Sequence, residues 1–307
     1  MPKVTVIIPT FNRSHLIRRS VESVLNQTYK NFELIIVDDA STDDTVSSIS
    51  RLEDDRIKII RHKRNTGAPK ARNSGISASM GEYIALLDDD DEWLPHKLEK
   101  QVMLFEKLPA DVGLVYSGFK FISSKDGAVL RKIVPQKKGI LFKDFLRHNF
   151  IGSATPVIKK ECFDNAGNFD ETLPSCQDWD MWIRISAQYS IELITDTLAK
   201  VHIHGNQIST NLDSKIKGRE ILIKKYNHCL RKYPQILAYH YRKLGALYSL
   251  SNNRIKALHF FLKSLKLIPY QKGIYVHILL LLILSEFRVR YIKKRNISVF
   301  DDIEIFN

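Results

Sequence analysis

The chain has 307 residues, 44% of them apolar, with 47 Lys and Arg against 34 Asp and Glu. That length suits one large domain or one domain plus an appendage, and the apolar fraction is enough for a globular core. Cys162, Cys176 and Cys229 are odd in number and far apart, which excludes a zinc spacing and a disulfide framework. The longest apolar stretch, Ile278 to Leu284, is far too short to span a bilayer. Met1-Pro2-Lys3 leads straight into strand-like sequence, so no signal peptide is expected and a cytoplasmic setting is. The net charge of +13 divides unevenly: residues 1–214 carry −1 and residues 215–307 carry +14, with no acidic residue between Ile221 and Ser285. Basic tails of this kind meet nucleic acid or an anionic membrane surface.

In chain order, Lys3 to Pro9 predicts a buried strand, and Ser14 to Asn26 a helix with Leu16, Ile17, Val21, Val24 and Leu25 on its apolar face. Phe32 to Val37 predicts a second strand ending at Asp38-Asp39, and Asp43 to Leu52 a helix capped by Thr42 or Asp43. Arg56 to Arg61 is a third strand, Pro69 to Met80 a helix broken by Gly81, and Tyr83 to Leu87 a fourth strand. This alternation is the pattern of a mostly parallel sheet with helices on both faces. Val112 to Tyr116 adds a strand, Phe119 to Val134 a hairpin around Lys125-Asp126-Gly127, and helices follow near Phe142 to His148 and over Gln177 to Tyr189. From residue 215 to about 295 the pattern is nearly all helical.

Ligands of such sheets bind at the carboxyl ends of the strands. Three strand ends here are polar: Thr10-Phe11-Asn12-Arg13, Asp38-Asp39 and Asp88-Asp89-Asp90-Asp91. Four adjacent carboxylates would repel one another in an ordinary turn. They make sense around a hard divalent cation, Mg2+ or Mn2+, which takes oxygen ligands and bridges carboxylates to phosphates. The bland alternative is a solvated acidic turn, with Asp91 capping the helix after Trp93. Likewise Asp38 and Asp39 are possible turn formers, Gly67 a plain turn residue, and Asp178 and Asp180 dipole-complementing acids at a helix start.

Six blocks then agree in order and spacing with one family. Val6-Ile7-Ile8-Pro9-Thr10-Phe11-Asn12-Arg13 comes first, followed by Leu25-Asn26-Gln27-Thr28-Tyr29 with Phe32 through Asp43. Asn65-Thr66-Gly67-Ala68 with Ala71 through Gly75, Asp88 through Trp93, Gln177-Asp178-Trp179-Asp180, and His204-Gly205 with Ser209 complete the set. Together they resemble the family-two, inverting glycosyltransferases of the GT-A fold, over residues 3 to about 210. The resemblance implies an α/β, Rossmann-like, mostly parallel sheet flanked by helices in residues 1–214. A small, basic, all-α C-terminal domain would fill 215–307. It implies transfer of a sugar from a nucleotide diphosphate donor, UDP above GDP or dTDP, to the hydroxyl of a saccharide or lipid-linked saccharide, with Mg2+ or Mn2+.

It also implies roles. Asp90 would ligate the metal, and Asp88 or Asp89 would hold ribose, or the metal through water, with the register inside the run open. Asp39 would recognise the nucleotide, with Asp38 as the neighbour in competition. Pro9 and Thr10 would line the base pocket through backbone groups, with Asn12 in the same loop. Arg13 would touch phosphate or be a solvated residue at a helix start. Gly67 sits before a helix whose free N–H groups attract phosphate, and Arg72 adds a cation there. Asp178 would be the catalytic base, beside Gln177 where many relatives carry Glu. Trp179 would form an acceptor wall with Gln177, while Trp182 belongs to the core. His204 would contact metal or diphosphate, with His202 competing.

In the tail, Tyr241, Leu244, Gly245, Tyr248, Ala257, Phe261 and Pro269 fall at the offsets of one tetratricopeptide repeat. Helices over 215–232 and 270–287 would complete a small bundle. The apolar helix from Ile274 runs into Arg288-Val289-Arg290 and Lys293-Lys294-Arg295, which suits either a segment, 274–295, lying on an anionic membrane or a bundle helix with a solvated basic end. A nucleotidyltransferase is a rival reading, but Pro9 to Ser14 lacks the glycine-rich phosphate loop such enzymes need. A nucleic-acid-binding scaffold leaves the acids at three strand ends unexplained, and dense carboxylates repel phosphate unless a metal intervenes. No nucleic-acid partner is therefore expected. A degenerate transferase acting through its tail is the remaining rival, opposed by the presence of Asp39, Asp90 and Asp178.

Overall fold

The computed structural model describes residues 1–204, 211–271 and 273–281. Gly205 and Ser209 of the closing motif, and residues 282–295 of the expected membrane segment, lie outside the described residues. The described chain divides into two compact units. The first comprises Met1–Phe142, Ile151–Glu171 and Met181–His204; the second comprises Lys143–Phe150, Thr172–Asp180 and Gly205–Asn307. The charge step at residue 214 is thus not where the units part. No helix among the described residues is long and apolar enough to cross a membrane.

The elements run β1 (Val4–Thr10), α1 (Ile17–Leu25), β2 (Phe32–Asp38), α2 (Thr45–Ser50), β3 (Ile57–Arg61), α3 (Ala68–Ala78) and β4 (Tyr83–Leu86) through the predicted alternation. They continue with β5 (Glu92–Trp93), α4 (Lys97–Phe105), β6 (Val112–Ser123), β7 (Val129–Ile133), α5 (Phe142–Arg147), β8 (Val157–Lys159), α6 (Glu161–Ala166), α7 (Gln177–Ser186) and β9 (Ser190–Ile203). Then come α8 (Leu212–Lys225), α9 (Asn227–Arg231), α10 (Pro234–Leu250), α11 (Arg254–Leu267) and α12 (Ile274–Leu280).

Among the described residues nine strands form one sheet in the order β3-β2-β1-β4-β8-β6-β9-β5, with β7 paired to β6. The first four strands are parallel, as their apolar sequences demand: every residue of β1, β2 and β4 is buried. Beyond β4 the sheet is mixed. β8 runs antiparallel to β4 and β6, and β6 and β9 form a long parallel pair. α3 lies tight on this sheet because Gly75 has no side chain; a Cβ there would come within 2.5 Å of Ile7 Cγ2. The chain progresses from β1 outward to β2 and β3, then returns to place β4 on the other side of β1. The crevice between β1 and β4 is therefore the topological switch point, where open α/β sheets bind ligands.

In the second unit, α10 and α11 form a helical hairpin across Ser251-Asn252-Asn253, with Asn252 in the left-handed region at φ 61. Leu244, Tyr248, Ala257 and Phe261 are buried. Gly245 lets the two helices close, since a Cβ would meet Phe261 at 2.6 Å. Most of the repeat-like offsets thus fall at buried positions of the hairpin, although Tyr241 is half-buried and Pro269 exposed.

Candidate functional site

The loops after β1 and β2 are knitted together by short polar side chains. The Asn12 amide N–H donates to Ser41 Oγ at 2.8 Å, and Asn12 Oδ1 accepts from the Thr42 N–H at 2.8 Å. The Arg13 N–H donates to Thr45 Oγ1 at 2.8 Å, and the Asp39 N–H to the Thr10 carbonyl at 2.9 Å. Asn12 and Ala40 sit in the left-handed region, at φ 52 and 67. Asn tolerates that conformation and Ala does not readily, so the β2 loop carries backbone strain beside the crevice. Asn12 acts here as a clasp between loops. Pro9 is inside the β1–β2 ladder, and Thr10 closes it opposite Asp38.

Asp39 is buried and saturated. Its oxygens accept from the Thr66 N–H at 2.9 Å, Thr66 Oγ1 at 2.8 Å and the Gly67 N–H at 2.7 Å, and His62 Nδ1 lies 2.7 Å away. His62 Nε2 in turn meets Ser74 Oγ at 2.9 Å. Burial pushes the Asp39 carboxyl up, but the bonds from His62, Thr66 and Gly67 outweigh it and hold its pKa below the ordinary value. Asp39 thus takes an anion's place against the Thr66 and Gly67 N–H groups, just ahead of the α3 N-terminus where phosphate is expected. A nucleotide meeting Asp39 must share or displace one of these donors. Asp38, the competing neighbour, is fully buried and pairs with Arg61 Nε at 3.1 Å while accepting from the Ser41 N–H.

β4 ends at Leu86 and delivers the acid run to the crevice. Each carboxylate has a different partner. Asp88 accepts from Arg72 Nη2 at 2.6 Å and from Ser153 Oγ at 2.8 Å. Arg72, in the second turn of α3, is buried and stacks over Phe169 at 5.6 Å. Asp89 lies 3.7 Å from Arg13 Nε. Asp90 Oδ2 is 2.7 Å from His204 Nε2. Asp91 accepts from the His202 N–H at 3.0 Å, while its carbonyl and that of Asp90 accept from Ser20 and Arg19 of α1. The expectation that Asp91 caps the next helix is overturned: β5 intervenes, α4 starts only at Lys97, and the Asp91 side chain is buried against β9. The two histidines are resolved as well. His202 serves Glu92, at 2.9 Å, and His204 serves Asp90.

Crowding shows in the acidities. Burial, then the neighbouring Asp90 charge, pushes Asp89 up to about 7 against Thr10 and Arg13. Burial with Asp90 and Asp88 raises Asp91 well above the carboxylate range. A cluster that resists full ionisation is one that a divalent cation would relieve.

The donor set fits such an ion in part. Among the described residues no group of three or more His, Cys, Asp and Glu side chains is gathered to hold a metal. The Asp90–His204 pair supplies one oxygen and one nitrogen. Adjacent ligands of an octahedral ion at about 2.1 Å lie roughly 3 Å apart, close to the pair's separation. Mg2+ characteristically takes one or two protein carboxylates and completes its shell with water and substrate phosphates.

Just past the run, Lys97 is fully buried. Among the described residues its Nζ has no hydrogen-bond partner, and it stands 4.0 Å above the Trp93 ring. Trp93 itself is fixed by donating Nε1–H to the Ala154 carbonyl at 2.7 Å. Burial pulls the Lys97 pKa well below the usual lysine range. The unfolded chain therefore binds the extra proton at pH values where the folded one has lost it, and stability rises with pH up to the unfolded lysine value. Lys97→Met is expected to stabilise at pH 7 by about 1–3 kcal/mol and to flatten the rise towards pH 10. Thermal unfolding followed by circular dichroism reads both. A lower melting temperature in the variant would mean that the cation–π contact outweighs desolvation.

Asp178 lies in the second unit, in the first turn of α7, after Cys176 in the left-handed region at φ 62. It is half-buried. Oδ2 accepts from Asn149 Nδ2 at 2.9 Å and Oδ1 from the Trp179 N–H at 2.8 Å. Asp180 is not its equivalent: it is fully buried and tied to Lys225 and Tyr226, both at 2.8 Å. Gln177 is half-buried and donates to the Leu173 carbonyl at 3.0 Å. Trp179, expected as an acceptor wall, is instead buried. Its Nε1–H donates to the Phe145 carbonyl at 2.6 Å, its ring stacks on His240 at 5.7 Å, and Arg219 lies 5.0 Å over it. An indole so placed anchors the helix start. Trp182 is buried as expected.

His62, Ser153 and Asn149 escaped the sequence reading. Each is a single polar residue far along the chain from its carboxylate, and nothing in its immediate neighbours marks it.

The comparisons bear on the family and the fold. The family model described as glycosyl transferase family 2 matches residues 5–162. The chain is 31% identical over 216 residues to the Escherichia coli UDP-Glc:alpha-D-GlcNAc-diphosphoundecaprenol beta-1,3-glucosyltransferase WfgD, covering 70% of this chain and 82% of that protein. It is 32% identical over 242 residues to an uncharacterized glycosyltransferase of Rickettsia felis, covering 76% of this chain but only 40% of that longer protein. Among solved structures, S. aureus TarS in complex with UDP-GlcNAc superposes with a TM-score of 0.65 at 19% identity, over 97% of this chain and 89% of that one. The Pyrobaculum calidifontis mannosyltransferase in complex with GDP-Man and Mn2+ gives 0.60 at 17%, over 97% and 88%. These likenesses show the GT-A fold with helices in the C-terminal region. On the family model and the sequence relatives together, the chain belongs to glycosyl transferase family 2.

Proposed function

We propose that the protein transfers a sugar from a UDP-sugar to an acceptor hydroxyl with inversion, dependent on Mg2+ or Mn2+, in the synthesis of a surface polysaccharide or lipid-linked oligosaccharide. The observation that carries this reading is the acid run at the end of β4, beside the β1–β4 switch point, with Asp90 paired to His204 and Asp88 to Arg72. The UDP donor and the lipid-linked acceptor named for the Escherichia coli relative support the choice of substrates. The Mn2+ named for the mannosyltransferase supports the cofactor. The transferase domain would occupy residues 1–214 and the basic helical domain residues 215–307.

Two demands define the chemistry. A nucleoside diphosphate leaves as an anion, and a hydroxyl loses a proton as it attacks. Asp90 and His204 would hold the divalent cation, which when bound neutralises charge on the departing diphosphate. Arg13, across from Asp89, and Arg72, held by Asp88, would meet that charge. Asp39 positions the 66–67 loop and offers the nucleotide a shared acceptor. Pro9 and Thr10 present backbone to the base. Asp178 would take the acceptor proton, with Gln177 beside it for acceptor contact.

Isothermal titration with UDP, GDP and dTDP, each with and without Mn2+, tests the donor site. Binding of UDP that requires Mn2+, with the other two weaker, is expected. Failure of all three nucleotides would overturn the donor reading.

A further inference from the structure

The second unit carries a surface that sugar transfer leaves unused. α11 buries Ala257, Phe261 and Ser264. Its opposite side consists of two rows. Ile255, Leu258 and Leu262 recur at spacings of three and four, so they share one row, and they are 85%, 39% and 53% exposed. Lys256, His259, Lys263 and Lys266 follow the same spacing one row over, and all are exposed. Two of the ammonium groups lie over aromatic rings: Lys256 Nζ is 5.0 Å over Tyr248, and Lys263 Nζ is 5.5 Å over Tyr241 and over Phe260. α12, which packs on α11, leaves Tyr275 and Leu279 exposed as well. From Ile221 to Ser285 the chain has 11 Lys and Arg and no acid.

Charge decides what covers this face. A second copy meeting it face to face would set one row of lysines against another. Nucleic acid would satisfy the lysines but leave the apolar row in water. An anionic bilayer meets both rows at once: the apolar side chains enter the headgroup–acyl boundary and the lysines meet the headgroups. We infer that the outward face of α11, through Ile255, Leu258 and Leu262 with Lys256, Lys263 and Lys266, docks on an anionic lipid surface. This differs from the contact expected over 274–295, because it rests on an earlier helix, and it does not depend on the transferase reading.

The test is co-sedimentation of the full chain with phosphatidylcholine vesicles, with and without phosphatidylglycerol. Binding only to the anionic vesicles is expected. The double variant Lys263→Ser/Lys266→Ser should weaken it about 25-fold, at roughly fivefold per lysine. Ile255→Asp/Leu262→Asp should weaken it at least tenfold. Both pairs are exposed, and an unchanged circular dichroism spectrum checks that folding is intact. Equal binding to neutral vesicles, or variants that bind anionic vesicles like the parent, would overturn the proposal. So would a dimer in light scattering that Ile255→Asp/Leu262→Asp dissolves, which would make a second copy the occupant.

Discussion

Asp178→Asn is expected to lower kcat about 10³-fold while leaving Mn2+-dependent UDP binding unchanged. The substitution keeps the shape of the side chain and one oxygen for Asn149 Nδ2, which is 2.9 Å from the present carboxylate. What it removes is the capacity to take a proton. The helix start itself should hold, because its anchor is the next residue. Trp179 is buried, donates to the Phe145 carbonyl and stacks on His240. The rival account makes Asp178 an acid that complements the α7 dipole, worth about 0.3–1 kcal/mol of stability and nothing in turnover. Two readouts separate them. If Asp178 is the base, the acid limb of the kcat–pH profile vanishes in the variant and the melting temperature barely moves. If it is only a dipole partner, turnover stays within tenfold and the melting temperature falls. Steady-state kinetics with a UDP-sugar, alongside thermal unfolding, decides.

What could be read from the sequence follows from burial. β1, β2 and β4 are enclosed on both faces, so they are written as unbroken apolar runs, and the polar residues that end them stand out as a site. β9 could not be read so directly. Its 14 residues, Ser190 to Ile203, mix exposed, half-buried and buried positions without alternation, because the strand changes register against β6 and borders β5 at its far end. Yet β9 ends beside the acid run, supplying His202 to Glu92 and leading into His204 at Asp90. The start of α3 shows a second limit. A glycine before a helix advertises an anion site, but only the fold reveals that Asp39, 28 residues earlier, takes the N–H of that glycine. Trp179 shows a third. An aromatic residue beside a predicted base reads equally well as an exposed wall or as an anchor, and only its contacts with Phe145, His240 and Arg219 decide for the anchor. Asp91 gives the fourth: a carboxylate before a helix suggests a cap, whereas a two-residue strand no periodicity can reveal turns it inward to the His202 backbone.

The same acid run carries the other large expected effect. Asp90→Ala should abolish the Mn2+-dependent part of UDP binding, a loss of at least about 100-fold in Kd in the presence of metal, and reduce turnover by about 10³-fold. The argument rests on partners. Asp88 is committed to Arg72 and Ser153, and Asp91 is buried and committed to the His202 backbone. Asp89 faces Arg13 and is itself resistant to ionisation. Among the described residues, Asp90 alone of the four faces an imidazole nitrogen, His204 Nε2 at 2.7 Å. Asp91→Asn is the control, since it keeps an oxygen for the His202 N–H and removes a carboxyl whose pKa burial has already raised. Metal-dependent UDP affinity should survive in that variant within about threefold. Calorimetry on the two variants, with and without Mn2+, fixes the register of the motif by a readout independent of turnover. The reverse outcome, loss in Asp91→Asn and retention in Asp90→Ala, would move the metal ligand one residue along. Equal retention in both would move the metal ligand to Asp88 or Asp89, whereas UDP binding that never depends on Mn2+ would remove the metal from the reading and leave Arg13 and Arg72 as the groups proposed to meet the diphosphate.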